Sequence, residues 1–155
     1  MSQRVDQRIP TDPDLNAYNQ ALYLTKVTMR VCKPKDKNVN NKHVAKRNVP
    51  IANIAINYAI EIGALILEAN SKYVGPRANV ETKIRNYNKR IELQDQAHGL
   101  TFRLEHIIRS LHEENPFANS TLTDWIGAVV RTRDSVKAWA VADNKELKHI
   151  LGQGL

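Results

Sequence analysis

The sequence predicts an all-α protein, an up-down-up-down four-helix bundle. Long segments of its 155 residues repeat apolar side chains at intervals of three, four and seven, the spacing of a helix that buries one face. No run alternates apolar and polar residues long enough to indicate a sheet. The six glycines and six prolines fall mostly between the periodic segments. Amphipathic helices joined by short polar turns favour a bundle.

The chain is long enough to bury a core as one domain without disulfides. Because Cys32 is the only cysteine, an intrachain disulfide and a Cys-x-x-Cys metal or redox pair are excluded. The first residues resemble neither a signal peptide nor a transit peptide, and no later run is expected to reach the ~18 apolar residues that span a bilayer. A soluble protein of the cytoplasm is therefore expected.

The first helix is predicted over residues 13–32. Thr11 or Asp12 is its expected N-cap, Pro13 stands just inside its start, and Pro34 prevents it from continuing. A helix-spaced apolar face supports this assignment. Its predicted members are Leu15, Tyr18, Leu22, Met29 and Cys32.

The second helix has the most apolar pattern of the chain, and we expect it to be the most buried. It is predicted to end at Asn70. If it began only at Pro50, it would face a much longer third helix, so we expect residues 41–48 to be helical too, with Pro50 kinking the helix. The predicted core face is Ile51, Ile54, Tyr58, Ile62, Leu65 and Ala69, flanked by Ile56, Ile60 and Leu67.

The third helix is predicted to open near Asn79 and to end at His112. The fourth is predicted to begin with Thr121 or Thr123 as its cap, since a side-chain oxygen there accepts a hydrogen bond from a free N–H. The predicted limits are a flexible N-terminus over 1–12, the bundle over 13–148 and a C-terminal tail over 149–155.

The net charge of +7 is concentrated in one segment. Residues 26–47 hold eight cations against Asp36 alone, and residues 72–90 hold six against Glu81. Charge runs are usually solvated surface, but this segregation favours a polyanion, and nucleic acid above a membrane because the first segment lacks interleaved apolar anchors. The predicted phosphate-contacting residues are Lys33, Lys35, Lys37, Lys42, Lys46, Arg47, Lys83, Arg85, Lys89 and Arg90.

Two tyrosines lie within the second basic segment. Tyr73 and Tyr87 are candidates for stacking on bases, although Tyr87 also fits the apolar stripe of the third helix. No motif that reads base sequence is present. Contact with phosphates is therefore the expected mode of binding.

No enzymatic or metal site emerges from the motifs. A bundle that holds two metals needs Glu-x-x-His on two helices, and only Glu146 with His149 supplies that spacing. The Arg-x-x-His pairs at 103–106 and 109–112 are too closely spaced for the Arg and His that helical-bundle ribonucleases use. We therefore expect a non-enzymatic protein without a cofactor or metal. The open alternative is a bundle with a metal or small-molecule site and incidental basicity.

Self-association is also predicted. The second and fourth helices carry apolar residues on more than one face. The core of one bundle cannot bury all of them, so a partner subunit is expected to cover the rest. The residues concerned are Ile56, Ile60, Leu67, Val130 and Trp139.

Several short motifs follow one another in a recognisable order. A first helix with Tyr and Leu leads to the turn "KPKDK", a second helix ends "ALILEANS", a third is basic, and the last contains "DWIGAVV" and "AWAV". Over residues 15–142 this order resembles the accessory variability determinant proteins of diversity-generating retroelements. That family belongs to a wider group of four-helix bundles that includes proteins encoded within ribosomal RNA intervening sequences.

The resemblance implies a homopentamer that binds the element's reverse transcriptase and its template RNA during mutagenic reverse transcription. It implies no catalytic residues and no cofactor. A bundle protein associated with ribosomal RNA is the neighbouring alternative within the wider group.

Overall fold

The computed structural model describes residues 13–32 and 49–153. They form four helices, α1 Pro13–Cys32, α2 Val49–Asn70, α3 Val80–Glu114 and α4 Asn119–Gln153. Each helix packs against the next, and α1 also packs against α4. α1 and α4 are antiparallel, because Asn16 contacts Ser135 whereas Thr28 contacts Trp125. The predicted four-helix bundle is confirmed.

The limits of α1 and α3 follow local signals. α1 occupies the predicted residues 13–32, and its predicted caps lie outside the described residues. The Asn79 side chain caps α3, since its Oδ1 accepts a hydrogen bond from the Thr82 N–H at 2.8 Å. α3 ends at Glu114, shortly after the predicted end, because Pro116 disfavours a helical conformation in the residue before it.

The predicted caps of α4 are wrong. The helix begins at Asn119, so Thr121 and Thr123 lie within it instead of before it. The Leu122 N–H already donates to the Ala118 carbonyl at 3.1 Å. The helix therefore starts earlier than the threonines indicate.

Phe117 lies two residues before this start. Its buried ring packs against Trp125, with ring centroids 6.1 Å apart, and an apolar residue before a helix fixes the angle at which the chain enters it. At the other end α4 continues to Gln153. Residues 149–153 are therefore helical, where a tail was predicted.

Residues 33–48 lie outside the described residues, and with them the predicted helical extension over 41–48. The described part of α2 has 22 residues, against 35 in α3. Pro50 stands in its first turn as described, where a missing N–H costs no helical hydrogen bond. The predicted kink at Pro50 stays a prediction.

Two tryptophans of α4 lie at the centre of the core. Trp125 and Trp139 are 0% and 2% exposed. The Trp125 Nε1–H donates to the Thr28 hydroxyl at 2.9 Å, and that hydroxyl donates to the Leu24 carbonyl at 2.7 Å, so these buried polar groups are paired. The surrounding fully buried aliphatic residues include Leu24, Val27, Ile62, Ile66, Leu104, Ile108, Val129 and Val136.

α1 presents a different face to the core from the one predicted. Leu22 is 52% exposed, whereas Ala17 and Ala21 are buried. Cys32 is buried as predicted, and Met29 is half-buried. Small side chains on α1 let neighbouring helices approach closely. The spacing of large apolar residues in the sequence does not show that alanines face the core.

The prediction that α2 is the most buried helix is wrong. Six of its 22 residues are buried, against seven of the 20 in α1, and Ile60 and Leu67 are 48% and 54% exposed. When a helix is apolar all round, its period does not define which face is inside. Of the predicted core face, Ile62 and Ala69 are buried and Ile51, Tyr58 and Leu65 pack against the core, as predicted, whereas Ile54 is 43% exposed.

α2 is long and apolar enough to cross a membrane, judged by length and composition alone. This contradicts the expectation that no run of the chain is so apolar. The core helix of a soluble protein passes the same test, yet only 28% of the apolar window of α2 is buried in the bundle. α2 therefore carries apolar surface that the bundle does not cover.

Candidate nucleic-acid interface

The two basic segments adjoin opposite ends of α2. The first segment leads into Val49, and the second begins after Asn70, about 33 Å away along the helix. The described residues that flank the two segments are therefore far apart. Six predicted phosphate-contacting residues lie in 33–48, outside the described residues: Lys33, Lys35, Lys37, Lys42, Lys46 and Arg47.

The described part of the interface comprises the loop between α2 and α3 and the first turns of α3. Arg85 is exposed there, and Lys83 and Lys89 are half-buried. The Lys89 Nζ lies 3.6 Å from a Glu92 carboxylate oxygen, an exposed pair that contributes little to stability. A shallow groove of about 390 Å³ is lined by Lys72, Arg85, Asn86, Asn88, Lys89 and Glu92.

Lys72 and Arg77 belong to this surface, although they were not among the predicted contacts. Arg77 is exposed and Lys72 is half-buried. Neither forms a salt bridge with another residue in the described ranges. The charge count over 72–90 was the signal that identified them. The basic end is defined here as Lys72, Arg77, Lys83, Arg85 and Lys89.

Arg90 is set apart from the basic end, because its charge is paired inside the bundle, and its predicted phosphate contact stays a prediction. Its side chain is only 12% exposed. Its Nε and Nη2 donate to the two carboxylate oxygens of Asp143, each at 2.9 Å. Its guanidinium carbon lies 5.5 Å from the ring centroid of Tyr87 and 5.2 Å from that of Trp139. Arg90 is therefore committed to the packing of α3 against α4.

Gln94 completes this buried polar cluster. It is 1% exposed, and its Nε2 donates to an Asp143 oxygen at 2.6 Å. Burial raises the pKa of the Asp143 carboxyl above its usual value, whereas the charge of Arg90 and the hydrogen bond from Gln94 act to lower it. The cluster joins α3 to α4 inside the bundle.

The structure separates the two tyrosines of the second basic segment. Tyr87 is 8% exposed and lies in the core, whereas Tyr73, in the loop after α2, is 50% exposed. Only Tyr73 therefore presents its ring to solvent among the cations of the basic end.

The described ranges contain no group of three or more His, Cys, Asp or Glu side chains placed to hold a metal ion. Glu146 and His149, the one pair with metal-ligand spacing, are both exposed. Cys32 is buried, and its burial raises the pKa of the thiol to about 12. The reactive thiolate is therefore scarce at neutral pH.

Arg109 and His112, the second Arg-x-x-His pair, contact different partners. The His112 Nδ1 accepts a hydrogen bond from the Phe117 N–H at 3.4 Å, and the two rings pack with centroids 4.6 Å apart. The Arg109 Nε donates to Glu105 at 3.1 Å. His112 therefore shapes the turn between α3 and α4, and Arg109 pairs along its own helix.

The fold and the site together define a four-helix bundle with a cationic surface at the α2–α3 end. Comparisons with protein-family models, with curated proteins and with solved structures found no match. We therefore infer its function from the geometry and charge of the site and from the order of its sequence motifs.

Proposed function

We propose that the chain is a non-enzymatic accessory protein of a diversity-generating retroelement, which binds template RNA and the reverse transcriptase during mutagenic reverse transcription. The observation that carries the proposal is the gathering of cations at the basic end. Within residues 72–92 the acids are Glu81 and Glu92 alone. A surface with this excess of positive charge suits phosphates, whose contacts position a nucleic acid without reading its sequence.

The uncovered apolar surface supports a protein partner as well. RNA contacts account for cations and not for the exposed aliphatic residues of α1 and α2. The order of motifs over 15–142 supports the reverse transcriptase and further copies of the chain as those partners. The basic end and the apolar surface therefore have separate roles in the proposed complex.

The first test measures both bound partners. We expect the purified protein to bind a fluorescently labelled transcript of the template repeat at low salt, to release it as salt rises, and to co-purify with the reverse transcriptase encoded by the same element. Preference for ribosomal RNA over the template transcript would instead support the ribosomal-RNA-associated alternative. Stoichiometric metal in a protein that binds no RNA would support a metal-binding bundle and overturn the proposal.

Self-association, as a homopentamer, is the second part of the proposal. Leu22, Ile60 and Leu67 are 52%, 48% and 54% exposed, and with Gly63 and Ala64 they line a shallow groove of about 280 Å³ between α1 and α2. Large apolar side chains around small ones form a surface into which another helix can pack.

Other residues predicted to support self-association do not contribute equally. Trp139 is 2% exposed and belongs to the core, which corrects its predicted role. Val130 and Ile56 are half-buried. The surface between α1 and α2 is therefore the part of the prediction that the structure leaves uncovered.

We expect light scattering at micromolar concentration to give a mass several times the 17.6 kDa of one chain. Replacing Ile60 and Leu67 together by Glu should yield monomers, because an apolar interface does not accommodate unpaired carboxylates. Replacing Val141 and Leu151 together by Glu is the matched control, since they are 57% and 43% exposed on α4 and do not line this groove. A wild-type monomer, or vesicle binding in place of self-association, would contradict the prediction.

A further inference from the structure

The Tyr73 ring is held in place although half of its surface is exposed. The Asn86 Nδ2 on α3 donates to the Tyr73 carbonyl at 2.6 Å, and the Arg77 N–H donates to the Tyr73 hydroxyl at 3.3 Å. The ring also lies against Gly75, where an added Cβ would collide with it. Gly75 thus allows the close approach of backbone and ring. The aromatic side chain is therefore ordered by its own loop before any ligand arrives.

Cationic residues flank Tyr73 in the sequence. Lys72 directly precedes it, and Arg77, whose backbone N–H donates to the Tyr73 hydroxyl, follows four residues later. Asn86, which holds the Tyr73 carbonyl, lines the same groove as Arg85 and Lys89. An exposed aromatic ring beside a cationic groove is the arrangement that binds single-stranded nucleic acid, because bases stack on the ring while phosphates follow the charges.

A duplex RNA would gain less from an exposed aromatic ring beside a cationic groove. Its bases are already stacked on one another and present only their edges, whereas a single strand offers the face of a base. An acidic protein surface would pair with the cations but has no need of an ordered aromatic ring among them. The combination therefore favours a single strand.

We propose that the basic end binds single-stranded RNA, with one base stacked on Tyr73 and the adjoining phosphates contacted by Lys72, Arg85 and Lys89. This inference rests on the proposed function, that the chain binds RNA, and deepens it by naming the form of RNA and the residue that stacks. Lys72, Arg85 and Lys89 supply affinity that depends on salt, and Tyr73 supplies affinity that does not.

The test compares two probes by fluorescence anisotropy, an oligouridylate of about 12 nucleotides, within the usual site size, and an RNA duplex with the same number of phosphates. Tyr73→Leu should weaken oligouridylate binding by about 5- to 150-fold, the effect of losing one stacked base. The salt slope and duplex binding should stay unchanged. Tyr73→Phe, which keeps the stacking face, should bind nearly as the wild type does.

A second variant tests the phosphate contacts: it replaces Lys72, Arg85 and Lys89 together by Ala. This variant should weaken binding of both probes and reduce the salt slope by about 2 for the oligouridylate and about 3 for the duplex. Tyr73→Trp supplies a direct readout, since its fluorescence should be quenched when oligouridylate stacks on it. The signal is corrected with the wild type, whose Trp125 and Trp139 are buried.

The outcomes separate this inference from the proposed function. If the wild type binds neither probe, the proposed RNA binding fails, and this inference fails with it. If the wild type binds but Tyr73→Leu binds the oligouridylate equally well, or loses both probes to the same extent, the stacking role of Tyr73 is overturned and RNA binding stands. Circular dichroism and thermal melting confirm that each variant is folded.

Discussion

RNA bound to this protein is expected to be released steeply as the salt concentration rises. If about six cations contact phosphates, the logarithm of the affinity should fall with the logarithm of salt at a slope of roughly −4 to −5. That is a loss of about two to three decades between about 50 and 200 mM salt. The cause is counterion release, since each neutralised phosphate frees condensed ions into a solution that becomes richer in them. Anisotropy titrations at several salt concentrations measure the slope.

Most of this dependence is expected to come from the first basic segment. Replacing Lys35, Lys37, Lys46 and Arg47 together by Ala should weaken binding to unrelated RNA sequences alike and flatten the slope by about 3. These residues lie outside the described ranges, and their sequence context contains few apolar residues. Helicity and melting temperature should therefore stay close to those of the wild type.

The matched control removes the same number of charges elsewhere. Arg133, on α4, is unsuitable because its Nη2 lies 2.7 Å from a Glu105 oxygen and its guanidinium carbon 3.8 Å from the Phe102 ring centroid. The control therefore replaces the exposed residues Arg103, Arg131, Lys137 and Lys148 by Ala. An unchanged salt slope in the variant of the first basic segment, or an equal loss of slope in the control, would show that the segment is only a solvated connector.

Asp143→Ala should be among the most destabilising single changes in the bundle. Arg90 would remain 12% exposed without its carboxylate partner, and leaving one charge of a buried pair uncompensated costs about 3–5 kcal/mol of the free energy of unfolding. For a chain of this size that corresponds to a fall in melting temperature of about 6–20 °C. Thermal and denaturant unfolding followed by circular dichroism measure the change.

An exposed pair supplies the control. The Arg30 Nη2 lies 2.7 Å from an Asp124 oxygen, with side chains 43% and 37% exposed, so Arg30→Ala should cost no more than about 1 kcal/mol. Replacing Arg90 by Met and Asp143 by Leu together should recover much of the stability that Asp143→Ala loses, because no buried charge is left unpaired. A cost for Asp143→Ala no larger than that for Arg30→Ala would contradict the structural role of the cluster.

The same double variant tests the position of Arg90 relative to the RNA. Since Arg90 is occupied within the bundle, the Met and Leu replacements should leave RNA affinity and its salt slope at wild-type values. A fall in the slope by about 0.7 to 0.9, the effect of one lost phosphate contact, would return Arg90 to the interface.

Features that depend on neighbouring residues could be predicted from the sequence. Asn79 caps α3 through an N–H only three residues away, and the limits of α1 follow prolines at or just beyond its ends. The start of α4 was missed because the carbonyl that accepts its first helical hydrogen bond belongs to Ala118, which has no side-chain oxygen to mark it as a cap. Helix ends are therefore predictable where a capping side chain or a proline marks them.

By itself the sequence determined the four-helix bundle and the segregation of charge into two segments, because helical period and composition are properties of consecutive residues. Only the tertiary structure decided which cations face solvent: Arg90 is withdrawn by Asp143, which lies 53 residues further along the chain. It likewise decided that Tyr87 is buried while Tyr73 is exposed, and that α2 buries Ala52 and Ala55 while Ile54 is exposed. The physical reason is that the burial and pairing of a side chain depend on which side chains of the adjacent helix lie at the same level along the bundle axis. The order of residues within one helix does not contain that information.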